Sequence, residues 1–398
     1  MEKLLSKLEG DRMIWGVMIT LSMFSVLVVY SATGSLAYMQ AGGDNEHYLL
    51  RHSTLVLVGL IGAYVCHKID YIYYSRLSRY ALLLSIPLLL FTWFFGSEIN
   101  SASRWIEIPF INFTFQPSDL ARLALIANMA SMLWKRQRDI GEFNKAIVPL
   151  LVWTGIICGL IGVSDISTAS LLFLTIMLQL FIGRVPIRYL FMLVAIGCLA
   201  ALFVYEFGQR GGTAVSRLSS FMSETEIPYQ AEQSYIAIST GGISGKGIGE
   251  STQRNFLPHS YSDFVFAIVV EEYGLIGALI IIGLYITLLY RGMTIVANSQ
   301  KAFGGLLAAG LTFSLILQAF VHMGVVTGLL PLTGLPLPLI SMGGTSLLFT
   351  GMTVGIILSV SKSTQEESEE VRLKRTERAK KRKGYDGINR PKNVRLNE

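Results

Sequence analysis

The chain has 398 residues, 52% of them hydrophobic and 15% charged, against about 25% charged in an average soluble domain. With a mean hydropathy of +0.51, the polar residues are too few to cover a soluble protein of this size. Disordered, collagen-like and disulfide-scaffold classes are excluded as well, which leaves an all-α polytopic membrane protein. The net charge of +6 is concentrated in residues 363–398, where eleven Lys and Arg stand against seven Asp and Glu. No nucleic-acid motif accompanies it, so this tail reads as a cytoplasmic segment beside anionic lipid or partners, and nucleic acid is not an expected ligand.

Ten segments approach the ~20 mainly apolar residues that a membrane helix needs: 13–34, 52–69, 79–97, 117–134, 146–163, 167–183, 188–207, 264–290, 303–326 and 345–361. The first follows a charged stretch with Lys3, Lys7, Asp11 and Arg12 and is too long for a signal-peptide core, so it reads as a retained anchor. Segments five and six are split only by Val163-Ser164-Asp165-Ile166, a tight re-entry turn. Cys66, Cys158 and Cys198 each sit in an apolar run and read as small buried residues, with no metal spacing and no disulfide framework. The chain thus divides into a short tail (1–12), a membrane domain (13–362) and the basic tail (363–398).

Cytoplasmic loops carry an excess of Lys and Arg. With the N-terminus inside, 26 of the 33 basic residues fall on the inner side, and an even number of spans puts both termini there. The seven outer ones are Arg51, Arg104, Arg122, Arg210, Arg217, Lys246 and Arg254. Each runs against the bias and needs a reason. Most lie in or beside the loop 98–116 or in the long, glycine-rich loop 208–263, and long loops are often functional.

Several of these stretches could carry chemistry. Asn100-Ser101-Ala102-Ser103-Arg104-Trp105-Ile106 reads as an interfacial anchor or as an arginine fork offered to phosphate. Gln116-Pro117-Ser118-Asp119-Leu120-Ala121-Arg122 is a helix start. Its Asp119 and Arg122 can form a local ion pair and, as ionisable groups in a membrane segment, are also functional candidates. Asp165 suits a helix cap or a cavity. The glycines from Gly241 to Gly249 match neither a Walker nor a Rossmann spacing; close backbone packing against a helix or a lipid carrier fits them better. Asp263, before an apolar run, reads as an ordinary N-cap, and His259 as a structural polar residue. Glu271 and Glu272, about two turns into that run, call for a polar cavity or a cation. Three prolines and four glycines between Thr327 and Ser346 exclude a regular helix; such backbone at membrane depth is buried by protein or lines a cavity.

Together these blocks resemble the SEDS family (shape, elongation, division and sporulation) over roughly residues 13–362. The resemblance rests on Ser103-Arg104-Trp105-Ile106, Gln116-Pro117-Ser118, Gly241-Gly242 with Gly247-Ile248-Gly249, Leu257-Pro258 with Asp263-Phe264 and Glu271-Glu272-Tyr273-Gly274, and Thr333-Gly334-Leu335-Pro336-Leu337-Pro338 with Ser341-Met342-Gly343-Gly344. Arg122 stands where the family usually has Lys, and Asp119 where it usually has Glu, so charge type is kept. Gln253-Arg254-Asn255-Phe256-Leu257-Pro258-His259-Ser260 is closer to the division-type (FtsW-like) branch than to the elongation-type (RodA-like) one.

The resemblance implies ten transmembrane helices in a GT-C-like fold, with loop 208–263 external. It implies an inverting peptidoglycan glycosyltransferase that polymerises lipid II at the outer face of the cytoplasmic (inner) membrane, in septal wall synthesis. A lipid II flippase, a division scaffold and an elongation polymerase are the competing readings. Expected partners are lipid II and undecaprenyl pyrophosphate, a class B penicillin-binding protein transpeptidase and other divisome membrane proteins. No particular cofactor is implied, and a divalent cation (Mg or Mn) stays open. The implied catalytic residue is Asp263; the implied substrate-binding residues are Arg104, Trp105, Gln116, Ser118, Arg122, Lys246, Glu271, Glu272 and Ser341. The chemistry agrees with that set. A pyrophosphate leaves as a stable anion, so electrostatic clamping replaces a general acid, which suits Arg104 and Arg122. The acceptor hydroxyl needs one base on the opposite face. Asp263, with a free pKa of about 3.9, is ionised at neutral pH.

Overall fold

The Asp11 carboxylate accepts from the backbone N–H groups of Met13 and Ile14 at 2.9 and 3.2 Å and so starts the first helix. In the computed structural model, which describes residues 9–34, 45–99, 102–108, 113–207, 211–223 and 227–388, each of the apolar segments holds a helix. They are α1 (Arg12–Ala32), α2 (Asn45–Lys68), α3 (Tyr74–Phe95), α4 (Pro117–Lys135), α5 (Val148–Ser164), α6 (Ile166–Ile182) and α7 (Ile187–Phe207), then, beyond the long loop, α10 (Val265–Asn298), α11 (Ala302–Val326) and α12 (Gly344–Ile388). Among the described residues, seven helical spans are long and apolar enough to cross a membrane, and α6 and part of α7 form shorter apolar helices.

Two stretches expected as loops are built. Between positions 97 and 115 the described residues form an antiparallel meander of β1 (Ser97–Ile99), β2 (Ala102–Ile108) and β3 (Phe113–Phe115), with Ser97 opposite Trp105 and Ile106 opposite Phe115. The fold is therefore helical with one small sheet rather than all-α; strands this short, some of three residues, leave little period-2 pattern to read. Asn100 and Ser101 lie outside the described residues. The long loop holds α8 (Gly211–Met222) and α9 (Tyr229–Gly241), while Arg210 lies outside the described residues. α12 also outruns its apolar segment, because the Glu, Lys and Arg that follow Ser361 are good helix formers.

α4 is buried along nearly its whole length, packed by α3, α6 and α11. Its charges therefore meet protein rather than lipid. α12 lies along α2 through small residues: a Cβ on Gly351 would sit 2.0 Å from the Gly59 carbonyl oxygen, and one on Gly355 2.2 Å from that of Ala63. Such backbone approach drives helix association where lipid removes the hydrophobic gain. Of the cysteines only Cys66 is buried; Cys158 is half-buried and Cys198 is exposed on α7, an apolar side chain on an outward helix face rather than in the core.

Candidate active site

The turn between α5 and α6 is the single residue Asp165. Its Oδ1 accepts from the Thr168 N–H at 3.1 Å, capping α6. Its Oδ2 accepts from the Thr168 hydroxyl and forms an ion pair with Arg104 Nη1, each at 2.8 Å. The cap and the cavity role are thus both met. Arg104 reaches over from β2, and its Nε donates to the Ser164 carbonyl at 3.0 Å. These groups open a cavity of about 340 Å³, whose lining includes Arg104, Asp165, Ser167, Ser170, Arg217, Leu332 and Thr333. Leu171, Leu174, Leu218 and Val321 add an apolar wall. The lining thus combines two arginines and one carboxylate with a mainly apolar surface.

Arg217 of α8 had no assigned partner in the sequence. Its Nη1 donates to the carbonyls of Leu332 and Thr333 at 3.3 and 3.4 Å. Those carbonyls belong to the proline-rich stretch 331–342, where hydrogen bonds come from side chains instead of a helix. Gln318 Nε2 donates to Pro336 at 2.8 Å, His322 Nδ1 to Leu335 at 2.8 Å, Ser25 to Ile340 at 2.7 Å, and Tyr285 to Pro338. Non-helical backbone of this kind survives in a membrane protein where such side chains satisfy its carbonyls, here those of Leu332, Thr333, Leu335, Pro336, Pro338 and Ile340.

Asp263 faces this stretch. Helix α10 takes its N-cap position at Phe264 with no side-chain capping bond, so Asp263 is not the N-cap that Ser-Asp before an apolar run suggested. Its Oδ1 accepts from the Ser262 hydroxyl at 3.1 Å, and a Cβ on Gly334 would lie 3.4 Å from its Oδ2. Burial pushes its carboxyl above the usual carboxylate range, and the charges of His259, Arg217 and Arg104, with the Ser262 hydrogen bond, act in the opposite direction. Ser341 supports the same turn from behind. Its hydroxyl accepts from the Leu337 N–H at 2.7 Å and donates to the Ser262 carbonyl at 2.6 Å, while the Met342 N–H donates to Tyr261 at 2.9 Å.

The structure brings Arg104, Asp165, Arg217, Ser341 and Asp263 into one neighbourhood, of which Arg104, Asp165 and Arg217 line the cavity itself; none of the other sequence candidates lines it. Arg122 is buried on α4, paired with Asp119 Oδ1 at 3.6 Å and donating to Gln318, and does not line the cavity. It acts on the proline-rich stretch through Gln318. Gln116 and Ser118 bond each other at 2.9 Å, and the Gln116 N–H donates to Thr345, tying α4 to α12. Trp105 follows Arg104 on β2, where the register with β1 shifts, and does not line the cavity.

Glu271, Glu272 and Lys246 form a separate structure. α10 breaks at Gly274, whose φ is 67°. The groups freed by the break pair with the glycine-rich loop: Lys246 and Gly247 N–H donate to the carbonyls of Glu271 and Glu272 at 2.9 and 3.1 Å, and Leu275 and Ile276 N–H donate to Gly242 and Ile243 at 3.0 and 3.2 Å. A Cβ on Gly245 would lie 2.1 Å from the Glu272 carbonyl oxygen, which explains the glycine without any phosphate. The Glu271 carboxylate accepts from Lys246 Nζ, the Ser251 and Thr252 hydroxyls and the Thr252 and Gln253 N–H groups, and Glu272 accepts from Ser31 of α1. The close-packing reading of the glycines is met, against a helix, and Glu271 is saturated by protein donors.

A family model described as cell cycle protein, for FtsW, RodA and SpoVE, matches residues 11–366. The "Probable peptidoglycan glycosyltransferase FtsW" of Geobacter sp. (strain M18) is 34% identical over 370 residues, 89% of this chain and 98% of that one. Its counterpart from Geobacter metallireducens is 36% identical over 356 residues, 88% of this chain and 94% of the other. Among solved structures, a chain from a peptidoglycan synthase complex that coordinates polymerization and crosslinking superposes with a TM-score of 0.69 at 26% identity, covering 89% of this chain and 98% of that one. Thermus thermophilus rod shape determining protein RodA gives 0.64 at 26% identity, covering 90% and 99%. The chain belongs to the FtsW, RodA and SpoVE family of cell cycle proteins, the SEDS family, and is FtsW-like within it.

Proposed function

We propose that this protein is a peptidoglycan glycosyltransferase that polymerises lipid II for septal wall synthesis, with Asp263 as its general base. The observation that carries the base assignment is a carboxylate at the mouth of α10 that caps no helix and lies within reach of the charges of two arginines. The glycosyltransferase reading itself is supported by the FtsW relatives. The acceptor GlcNAc 4-hydroxyl attacks C1 of the donor MurNAc. Its proton passes to Asp263 as the bond from C1 to the undecaprenyl pyrophosphate oxygen breaks, and the configuration at C1 inverts. The pyrophosphate leaves as an anion into the cavity, where Arg104 and Arg217 stabilise the charge and the apolar wall receives the prenyl chain. Among the described residues no group of three His, Cys, Asp or Glu could hold a metal ion; a magnesium or manganese ion would arrive on the pyrophosphate oxygens, which suit hard cations.

Ten spans, both termini cytoplasmic and loop 208–263 external make up the topology of this reading, with residues 13–362 as the membrane domain. A class B penicillin-binding protein is its partner, since glycan without cross-links builds no wall. The test is glycan-strand formation from lipid II by purified Asp263→Asn beside the parent protein. A general base contributes at least about a hundredfold, and a loss of that size is expected in protein that inserts and purifies normally. Equal product from both proteins overturns the assignment.

A further inference from the structure

We propose that Arg217 is a positioning residue for the base: from the cavity wall it grips the backbone on which the Asp263 carboxylate rests. The inference deepens the reading of Asp263 as general base and depends on it.

The argument starts from the loop. Gly334 has a φ of +70°, a conformation that glycine adopts freely. Its missing side chain leaves the space beside Asp263 Oδ2, where a Cβ would lie at 3.4 Å. The two carbonyls just before Gly334, those of Leu332 and Thr333, are the ones Arg217 holds. Gln318 and His322 fix the backbone just after it, at Pro336 and Leu335. Gly334 is thus pinned on both sides, from α11 on one and from α8 on the other. The α11 side lies in the buried core. The α8 side rests on one half-buried arginine carried by an external helix whose Leu218 and Met222 are exposed.

The same guanidinium lines the cavity with Arg104 and Asp165, so one residue touches both the platform of the base and the chamber for the leaving group. Its charge adds a second effect. Among the described residues, the charged and titratable groups that act on Asp263 are His259 in its own turn, Arg217 from α8 and Arg104 from β2, with the Tyr261 and Ser262 hydroxyls alongside. Burial disfavours the ionised carboxylate, and the three cationic or basic groups favour it. Removing Arg217 raises the Asp263 pKa further. At a given acidic pH a smaller fraction of the carboxylate can then accept a proton.

The experiment is the pH profile of lipid II polymerisation by the purified full-length protein, comparing the parent with Arg217→Met and Arg217→Lys. In Arg217→Met the acidic limb should move to higher pH, with the rate falling on the order of tenfold more at the acidic end than at the alkaline end. Arg217→Lys keeps the charge and loses the fork, so its limb should stay near that of the parent at a lower rate. Should Arg217→Met fail to purify, Arg217→Gln supplies the same uncharged comparison with one donor retained. An acidic limb that stays put in the uncharged variant, with activity lowered evenly across pH or not at all, overturns the role of Arg217 while Asp263→Asn remains inactive. Full activity in Asp263→Asn instead removes the base itself, so the two failures are told apart.

Discussion

A carboxylate at the start of a membrane helix can serve the helix or serve chemistry, and the local backbone decides which. At Asp263 the cap position has passed to Phe264, and the side chain is left to Ser262 and to the space beside Gly334. Ser341 gives the residue-scale prediction. Its hydroxyl joins the Leu337 N–H to the Ser262 carbonyl, and Ser341→Ala deletes both bonds and orphans a buried N–H. A loss of about 1–3 kcal/mol in local stability is expected, with polymerisation down roughly tenfold and the purified yield unchanged. A wild-type rate in that variant would show that the turn holds Asp263 without it. Asp263 was legible in the sequence because it ends a long polar loop at an apolar boundary. Arg217 stood out only as an outer cation against the charge bias. Nothing in its neighbours along the chain announces carbonyl partners more than a hundred residues away.

Glycine placement governs the elements. The splice between the loop 242–247 and the broken α10 turn replaces helix hydrogen bonds with cross-chain ones, and it works only if the two backbones touch. Gly245→Ala puts a methyl 2.1 Å from the Glu272 carbonyl oxygen at a φ of +80°. Overpacking and the left-handed backbone together cost about 2–5 kcal/mol, and the unfolding midpoint in detergent should fall clearly. Gly249→Ala is the control: its φ is +81°, yet nothing lies within 4 Å of the added Cβ, so only the smaller backbone cost remains. Equal midpoints for the two variants would contradict the splice. The helices themselves were readable from hydropathy, since each apolar segment coincides with one. The splice was not, because adjacent glutamates in an apolar run look like a ligand site until the donors to Glu271, roughly twenty residues earlier, are seen to fold back on it.

For the whole molecule, the uneven distribution of Lys and Arg forecasts which side each end faces. In a background without the native cysteines, Gln230→Cys on α9 should react with an impermeant reagent from outside, and Lys380→Cys on α12 only after permeabilisation. Labelling of Lys380→Cys in intact cells would invert the topology. The break in α10 has one more consequence, for biogenesis. The loop that completes it precedes α10 in the chain, so on this topology residues 242–247 are already across the membrane when α10 leaves the ribosome. The helix can be handed to the bilayer with its exposed carbonyls and N–H groups met at once by a waiting neighbour. A permuted chain that made α10 before that loop would have to hold four open backbone groups in lipid until the loop arrived.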